Sequence, residues 1–264
     1  MEKVTVITVC YNASATIRRT IESILCQTYK EFEYLIIDGK STDDTFNIVN
    51  EYQTEFEEQG IIYRIVSEKD NGIYDAMNKG IKLATGDWII FMNADDSFYD
   101  ENVLQEVFGV NNVKEYGVVY GDCIRNDGSG NYYMQANAAD TLPKQMPFIH
   151  QAVFARRNLC LKYLFELKYK LCADYNMFFH IYAEGQKFLQ IDKIICNYSI
   201  RGISGKALLD AQTEVIEIKK CFQNQYPISR GDRLDWQKEK IKMRIKMLMP
   251  EKIMQELRRK KHLG

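Results

Sequence analysis

Two adjacent carboxylates and a carboxamide follow directly on an apolar run in this sequence. The run covers residues 88–92, and the motif after it is Asn93-Ala94-Asp95-Asp96. Like charges side by side repel, and burying them unpaired is costly. One interpretation is a solvated turn, since Asn and Asp are common turn residues. The other is a site where carboxylate oxygens hold a divalent cation against a negatively charged ligand.

The residues before this motif predict alternating strands and helices. Apolar or β-branched runs predict four strands, at residues 4–9, 32–37, 61–67 and 88–92. Helical spacing predicts helices at residues 15–26, from the cap at 41–44 to about 56, and at 73–84. Ser14 is the expected cap of the first helix. A β-α-β-α-β-α-β series is typical of an α/β fold with a mostly parallel sheet covered by helices on both faces.

Polar clusters follow all four predicted strands. They are Tyr11-Asn12, Asp38, Asp70 and the Asn93–Asp96 motif. The carboxyl ends of parallel strands meet at one edge of the sheet, where open α/β sheets bind ligands. A turn explains one such cluster easily. Four clusters at the same edge favour a binding site.

The first predicted strand-to-helix turn excludes two phosphate-binding loops. A dinucleotide-binding turn needs the glycines of G-x-G-x-x-G, whereas residues 10–14 read CYNAS and contain no glycine. The chain also has no Walker A motif. The phosphates of a bound nucleotide would therefore need another source of positive charge, and a metal ion held by carboxylates supplies it.

Charge is unevenly spread along the chain. Its 264 residues suffice for one large domain, with or without a small appendage. Net charge is −1, but residues 233–264 carry eleven Lys/Arg against four Asp/Glu, or +7, which leaves −8 for residues 1–232. A basic tail on an acidic body suggests contact with something anionic.

Cysteine usage and hydropathy favour a cytoplasmic protein. Seven scattered cysteines without a CxxC pair indicate reduced thiols, and the three histidines lack zinc-site spacing. No apolar stretch is long enough to span a membrane. Residues 1–10 alternate like a strand, so we expect no signal peptide.

Two long segments of the chain resemble a known enzyme family. They are VTVITVCYNASATIRRTIESILCQTYKEFEYLIIDGKSTDDT, residues 4–45, and SEKDNGIYDAMNKGIKLATGDWIIFMNADD, residues 67–96. Both are similar to family 2 glycosyltransferases of the GT-A fold, which implies a Rossmann-like sheet. The resemblance is strong to about residue 125 and weaker through PFIHQAVFARR, CADYNMFF and YSIRGISG to about 206. It implies a nucleotide-sugar-binding half at 1–125, an acceptor-side half at 126–206 and a helical, basic extension at 207–264.

The resemblance assigns roles by position in the first half. Residues around the base and ribose would be Thr8, Tyr11, Asn12 and Asp38. Those under the nucleotide would be Asp70, Asp75, Asn78 and Lys79. Asn93 stands where many relatives have Asp, and with Ala94 it would meet the nucleotide-sugar. Asp95 and Asp96 would hold Mn²⁺ or Mg²⁺ against the diphosphate.

Three residues of the second half are further candidates. The resemblance places the general base at Asp174, and the alternative is a cap of a helix at 175–183. His150 would touch the donor sugar or phosphate, although a lone histidine is also common in a core. Arg201 precedes Gly202 in a loop that could close over the diphosphate, where Arg201 would supply positive charge. The alternative is an ordinary surface charge.

The implied activity is inverting, metal-dependent transfer of a hexosyl or N-acetylhexosaminyl group from a nucleotide-sugar. The default donor is a UDP-sugar, and the acceptor a glycan or polyprenyl-linked sugar in surface polysaccharide or O-antigen synthesis. Alternatives are a sugar-nucleotide-binding protein without transferase activity and a sugar-phosphate nucleotidyltransferase. The basic tail would pack on its own domain, on another subunit or on an anionic membrane surface. The tail has few aromatic residues and the rest of the chain is acidic, and both observations argue against nucleic-acid binding.

Overall fold

The structure is a computed structural model of the chain. It describes residues 2–110, 112–128, 130–199 and 205–227, together with residues 231, 238 and 241. The chain divides into two compact units, Met1–Arg201 and Gly202–Gly264. Most of the predicted basic tail and the predicted loop residue Arg201 lie outside the described residues.

The first unit is built on a sheet to which nine strands of the described chain contribute. The strands are β1 (Val4–Cys10), β2 (Phe32–Asp38), β3 (Ile62–Ser67), β4 (Trp88–Phe91), β5 (Ser97–Phe98), β6 (Val118–Asn126), β7 (Asn131–Met134), β8 (Val153–Arg156) and β9 (Phe188–Ser199). Their order is β3-β2-β1-β4-β8-β6-β9-β5, with β7 paired to β6. The quartet β3-β2-β1-β4 is parallel, as the sequence predicts. The mixed pairings lie beyond β4, where β8 is antiparallel to both β4 and β6.

Besides short π- or 3₁₀-helical segments at Gln105–Gly109, Ala139–Thr141 and His150–Ala152, six α-helices accompany the strands in the described part of this unit. They are α1 (Ile17–Leu25), α2 (Thr45–Glu51), α3 (Gln53–Glu58), α4 (Ile73–Leu83), α5 (Arg157–Lys162) and α6 (Ala173–Ala183). Every residue of β1 and β2 is buried, as expected for a parallel sheet covered on both faces. The mixed α/β architecture agrees with the predicted fold class.

Two predicted helix boundaries are wrong. Ser14 does not cap α1, because the helix begins two residues later than predicted, after Thr16, and the backbone N–H of Ser14 donates to Asp43. The single helix predicted to run to residue 56 is two helices that meet at Tyr52. Helical spacing of apolar residues continues across this break, so the pattern alone did not reveal it.

One buried carboxylate ties together all four parallel strands at their amino-terminal edge. Glu33 on β2 accepts hydrogen bonds from Thr5 on β1 (2.6 Å) and from Arg64 on β3 (3.4 Å). It also accepts the backbone N–H groups of Thr85 (2.5 Å) and Gly86 (3.3 Å), which lead into β4. These donors outweigh the effect of burial and lower the pKa of Glu33.

Close approach of α4 to the sheet depends on a glycine. A β-carbon on Gly80 would lie 2.7 Å from Cγ2 of Ile7 on β1. Because Gly80 has no side chain, α4 packs directly on β1 and β2, next to the polar clusters at their carboxyl ends. The position of α4 matters below, since its first turn reaches the candidate active site.

We expect Gly121→Ala to destabilise the protein by about 1–3 kcal/mol, because overpacking a close backbone contact forces the strands apart. A β-carbon at Gly121 would lie 2.4 Å from the carbonyl oxygen of Lys193, at the irregular register between β6 and β9. Chemical denaturation measures the effect. The control is Gly130→Ala, whose β-carbon would come no closer than 3.7 Å to another residue's atoms. Equal stabilities of the two variants would contradict the prediction.

The second unit contains α7 (Gly205–Cys221). Ile218, Lys219 and Phe222 are its most buried described side chains. Within the described parts of the chain, no helix combines the length and apolar character needed to cross a membrane.

Candidate active site

The Asn93–Asp96 turn follows β4 directly and is held by α1. Met92 extends the pairing of β4 with β1, donating its N–H to the carbonyl of Ile7 at 2.9 Å. Three side chains of α1 and its cap then donate to successive carbonyls of the turn: Thr16 to Ala94, Arg19 to Asp95, and Thr20 to Asp96. Sequence reasoning missed these three residues. They fix the backbone of the turn, and Arg19 also lies 3.5 Å from the Asp95 carboxylate.

The two carboxylates of the turn occupy different environments. The Asp95 side chain is 31% exposed and lies 3.5 Å from the Arg19 guanidinium. Asp96 is buried, accepts the backbone N–H of Ser199 at 3.0 Å and is hydrogen-bonded by Gln151. Burial raises the pKa of Asp96 to about 7 despite these donors.

Thr8 and Asp38 lie within the sheet, at the edge where the turn is found. The Thr8 hydroxyl donates to the Met92 carbonyl at 2.6 Å and accepts from Tyr34 at 2.9 Å. Asp38, at the end of β2, is buried and accepts from the backbone and hydroxyl of Ser41 and from the hydroxyl of Ser67. Both side chains already have protein partners, so direct contact with a base or ribose stays a prediction for them.

The polar clusters that follow β1, β2 and β3 lie close together in the structure. Tyr11 is 63% exposed. A β-carbon on Gly39 would lie 2.5 Å from Oδ2 of Asp70 and 3.4 Å from the ring of Tyr11. Gly39 was not predicted, and its missing side chain lets Asp70 approach Tyr11. Asn12 has a φ of +50° and accepts the N–H of Thr42 at 2.8 Å.

The turn into α4 is organised by its own carboxylates. Asp70 accepts the N–H of Gly72 at 2.9 Å, and Asp75 accepts the N–H of Asn71 at 2.9 Å. Lys79 donates to the carbonyl of Lys69 and lies 2.9 Å from Glu68.

Asn78 faces the interior of the protein. Its carboxamide donates to the carbonyl of Phe165 at 2.8 Å and accepts the N–H of the same residue at 2.9 Å. The observed role of Asn78 is therefore to anchor the segment that leads from α5 to α6. A contact between Asn78 and a nucleotide stays a prediction.

A cavity of about 320 Å³ brings residues of both predicted halves together. Asn93 from the turn, His150 from the segment before β8 and Asp174 from α6 all line it. Apolar side chains, among them Met77 and Phe148, form other parts of its wall. A concave, partly apolar site with a few convergent polar groups is typical of small-molecule binding.

Three buried polar atoms of residues that line this cavity have no hydrogen-bond partner in the described structure: Oδ1 of Asn93 and both ring nitrogens of His150. The His150 ring stacks on Phe91 with centroids 5.1 Å apart and meets Phe165 edge-on at 5.8 Å. Burial lowers the pKa of His150, while Asp174 opposes that shift, so the ring is neutral at neutral pH. Buried polar atoms are normally hydrogen-bonded, so these three are exceptions within the described structure, and a contact between them and a ligand stays a prediction.

Asp174 lies in the first turn of α6. Cys172 occupies the cap position, so the interpretation of Asp174 as the cap itself is wrong. Its Oδ1 accepts the N–H of Tyr175 at 2.8 Å and the hydroxyl of Tyr74 at 3.3 Å. Its Oδ2 lies 3.9 Å from Nδ1 of His150. The carboxylate is 23% exposed and sits at a helix N-terminus, which favours negative charge.

The family model for glycosyl transferase family 2 matches residues 5–172, almost two thirds of the chain. The chain belongs to glycosyl transferase family 2. The match covers β1 to α5, the Asn93–Asp96 turn and His150, and ends two residues before Asp174.

Two relatives of this family 2 member are named as glycosyltransferases. A PGL/p-HBAD biosynthesis glycosyltransferase of Mycobacterium bovis is 37% identical over 168 residues, which are 62% of this chain and 64% of the relative. The glucosyltransferase WfaP of Escherichia coli is 36% identical over 110 residues, 40% of this chain and 41% of WfaP. The aligned part thus spans less than two thirds of the length of these relatives.

Solved structures share the fold. Residues 1–349 of TarS from S. aureus, in complex with UDP, superpose with a TM-score of 0.67 at 18% identity, over 90% of this chain and 70% of that one. The mannosyltransferase PcManGT of Pyrobaculum calidifontis, with GDP-Man and Mn²⁺, gives a TM-score of 0.63 at 18% identity, over 82% and 64%. The family 2 chain described here therefore has the GT-A fold.

The turn offers some, but not all, of the oxygen ligands that a hard divalent cation needs. Among the residues that the structure describes, no three His, Cys, Asp or Glu side chains are grouped to hold a metal by themselves. Mg²⁺ and Mn²⁺ at phosphate sites are commonly held by one or two carboxylates, with phosphate oxygens and water as the other ligands. Asp95, with the unpaired Oδ1 of Asn93 nearby in the turn, suits that kind of site.

Proposed function

We propose that this chain is an inverting glycosyltransferase that moves a sugar from a nucleotide-sugar to an acceptor hydroxyl. One observation carries the proposal: the cavity that joins Asp174 and the unpaired nitrogens of His150 to the Asn93–Asp96 turn. The turn lies at the carboxyl edge of the parallel strands, where α/β sheets bind nucleotides. Asp174 would face the acceptor from the other side of the same cavity.

The reaction needs a base and a stabilised leaving group. The acceptor oxygen forms a bond to the anomeric carbon while the bond from that carbon to the diphosphate oxygen breaks. The nucleoside diphosphate leaves with the electron pair, and the acceptor proton passes to the Asp174 carboxylate. Attack from the face opposite the diphosphate inverts the anomeric configuration.

The other cavity residues would bind and orient the donor. His150, neutral and buried against Phe91, has nitrogens that can exchange hydrogen bonds with a sugar hydroxyl or a phosphate oxygen. The carboxamide of Asn93 offers an unpaired acceptor to a sugar hydroxyl. Tyr11, exposed beside Gly39 and Asp70, would stack on the base.

We further propose that Asp95 and Asp96 hold Mn²⁺ or Mg²⁺ against the diphosphate. A cation there supplies positive charge to the oxygen on which negative charge develops as the glycosidic bond breaks. The Mn²⁺ that accompanies GDP-Man in the PcManGT structure supports this assignment. The first βα turn contains no glycine-rich phosphate loop that could do the same.

Relatives and structural neighbours support the donor and acceptor classes that we propose. TarS structures contain UDP or UDP-GlcNAc and the PcManGT structure GDP-Man, so a UDP-sugar is the default donor and a GDP-sugar the next. The name of WfaP specifies a diphosphoundecaprenol-linked acceptor. We propose a polyprenyl-linked or glycan acceptor, used in surface polysaccharide synthesis in the cytoplasm. Contact of residues 233–264 with an anionic membrane surface is part of the same proposal.

The test is thermal stability against UDP, GDP, dTDP and their sugars, with and without Mn²⁺. We expect a Mn²⁺-dependent rise in Tm with one nucleotide, since a ligand of the folded state stabilises it by mass action. The rise should be lost in Asp95→Ala and kept in Asp192→Ala, where the carboxylate is exposed and outside the cavity. No shift with any nucleotide would contradict the proposal. A shift without release of nucleoside diphosphate would leave a sugar-nucleotide-binding protein.

A further inference from the structure

The two oxygens of the Asp174 carboxylate are not equivalent. Oδ1 accepts two hydrogen bonds, from the backbone of Tyr175 at 2.8 Å and from the hydroxyl of Tyr74 at 3.3 Å. Oδ2 faces His150, whose nearer nitrogen is 3.9 Å away, beyond hydrogen-bond length. One oxygen is therefore held by hydrogen bonds from the protein, while the other lies toward a ring whose nitrogens have no hydrogen-bond partner among the described residues.

The Tyr74 ring is held firmly enough to define this arrangement. It packs on Phe165 with ring centroids 5.2 Å apart. Asn78, one turn further along α4, binds both backbone groups of the same Phe165. Burial and the nearby Asp174 raise the pKa of Tyr74 well above its ordinary value, so its hydroxyl keeps its proton and acts as the donor.

The first turn of α4, which contains Tyr74, also lies near the polar residues that follow β1 and β2. Asp70 and Asp75 organise the loop before and within this first turn, and Asp70 lies against Gly39 beside Tyr11. Tyr74 belongs to this turn but points into the cavity with Asp174. One short segment therefore links the residues proposed to meet the nucleotide with the residue proposed to accept the proton.

We propose that Tyr74 is a positioning residue for proton transfer: together with the N–H of Tyr175 it occupies Oδ1 of Asp174, so that Oδ2 is the oxygen that accepts the proton of the attacking hydroxyl. The proposal rests on the function proposed above. The proton moves from the acceptor oxygen to Oδ2, while the hydrogen bonds to Oδ1 stay in place and stabilise the ionised carboxylate beforehand.

Titratable groups around the Asp174 carboxylate come from several elements of the described structure. Tyr74 approaches from α4, His150 from the segment before β8 and Tyr198 from β9, and Cys172 precedes α6 next to Tyr74. Tyr74→Phe removes one hydroxyl and keeps the ring on Phe165, so the other groups stay in place. A change in the titration of Asp174 in this variant can then be assigned to the lost hydrogen bond.

The first experiment is a ¹³C-carboxyl NMR titration of the full chain labelled at aspartate, with the Asp174 signal assigned by its absence in Asp174→Asn. In Tyr74→Phe we expect the midpoint of that signal to move up by about half to one pH unit, because a donor to the ionised form is gone. The control is Tyr63→Phe, which also loses a hydroxyl hydrogen bond, to the Val49 carbonyl, but far along the sheet. An unchanged midpoint in Tyr74→Phe would overturn the proposal whether or not the chain transfers sugar.

The second experiment measures release of nucleoside diphosphate from UDP-GlcNAc, UDP-glucose and GDP-mannose with Mn²⁺. For Tyr74→Phe we expect kcat about tenfold lower, an unchanged KM for the donor and an acid limb of the kcat profile moved to higher pH. Tyr63→Phe should match the wild type. Loss of kcat with an unmoved acid limb would reduce Tyr74 to a structural role and contradict the proposal. No turnover by the wild type, with the NMR shift present, would contradict the proposed transfer from these three donors, while the hydrogen bond from Tyr74 to Asp174 would stand.

Discussion

Asp174→Asn is expected to lower kcat for sugar transfer by about 10²- to 10⁴-fold, the range that a general base contributes. The amide keeps the shape of the side chain and can still accept hydrogen bonds from Tyr74 and Tyr175, so the cavity should stay intact. It cannot take the proton of the acceptor. Binding of the donor, measured by the thermal shift with Mn²⁺, should not change, because Asp174 is proposed to face the acceptor and not the nucleotide.

The control for this variant is Asp140→Asn. Asp140 is exposed and lies outside the cavity, so its amide variant should retain wild-type turnover. If Asp174→Asn turned over at the wild-type rate, Asp174 would not be the base, and the unpaired nitrogens of His150 would be the next group to test.

Glu33→Ala is expected to destabilise the protein by about 3–5 kcal/mol, the range for removing one member of a buried charged network. The variant would leave the hydroxyl of Thr5 and the N–H groups of Thr85 and Gly86 without their carboxylate acceptor. Urea denaturation at pH 7 measures the loss. Glu31→Ala is the matched control, because Glu31 is exposed two residues earlier on the same segment and should change stability by less than about 0.5 kcal/mol.

The effect of Glu33 should also depend on pH. The pKa of Glu33 is lowered in the folded protein, so its contribution is fully present above the unfolded value of about 4.3. It is lost as the pH falls through the lower, folded pKa. The gap in stability between wild type and Glu33→Ala should therefore narrow below about pH 4. A gap that stayed constant from pH 7 to pH 3 would show that the charge of Glu33 contributes nothing.

The first half of the fold could be predicted closely, because short stretches of sequence are enough to locate its strands and helices. Each strand of the β3-β2-β1-β4 quartet is an apolar run bounded by polar turns, and the parallel pairing follows from the alternation with helices. The antiparallel insertion of β8 between β4 and β6 could not be predicted. Only pairing between distant segments determines it, and β8 is no more than four residues long.

The residues of the candidate site divide in the same way, into those that sequence motifs predicted and those that only the folded structure reveals. Asn93, His150 and Asp174 were predicted from motifs, and the structure brings them to one cavity. Tyr74 could not be found in this way, since its partner lies 100 residues further along the chain. Nothing in the sequence distinguishes Thr16 and Thr20 from ordinary threonines of a helix. Only the folded backbone shows which carbonyls their hydroxyls bind.

Strand β2 has a consequence for engineering new donor specificity. The carboxylate that joins the four parallel strands is at position 33, near the start of β2, and Asp38 is at its end. At about 3.3 Å per residue the two positions are some 17 Å apart. Libraries that vary residues 11, 12, 39 and 70 would therefore leave the buried Glu33 network untouched. The protein should tolerate destabilising exchanges at the proposed nucleotide-binding edge, because the stabilising contacts of Glu33 lie at the other end of the same strands.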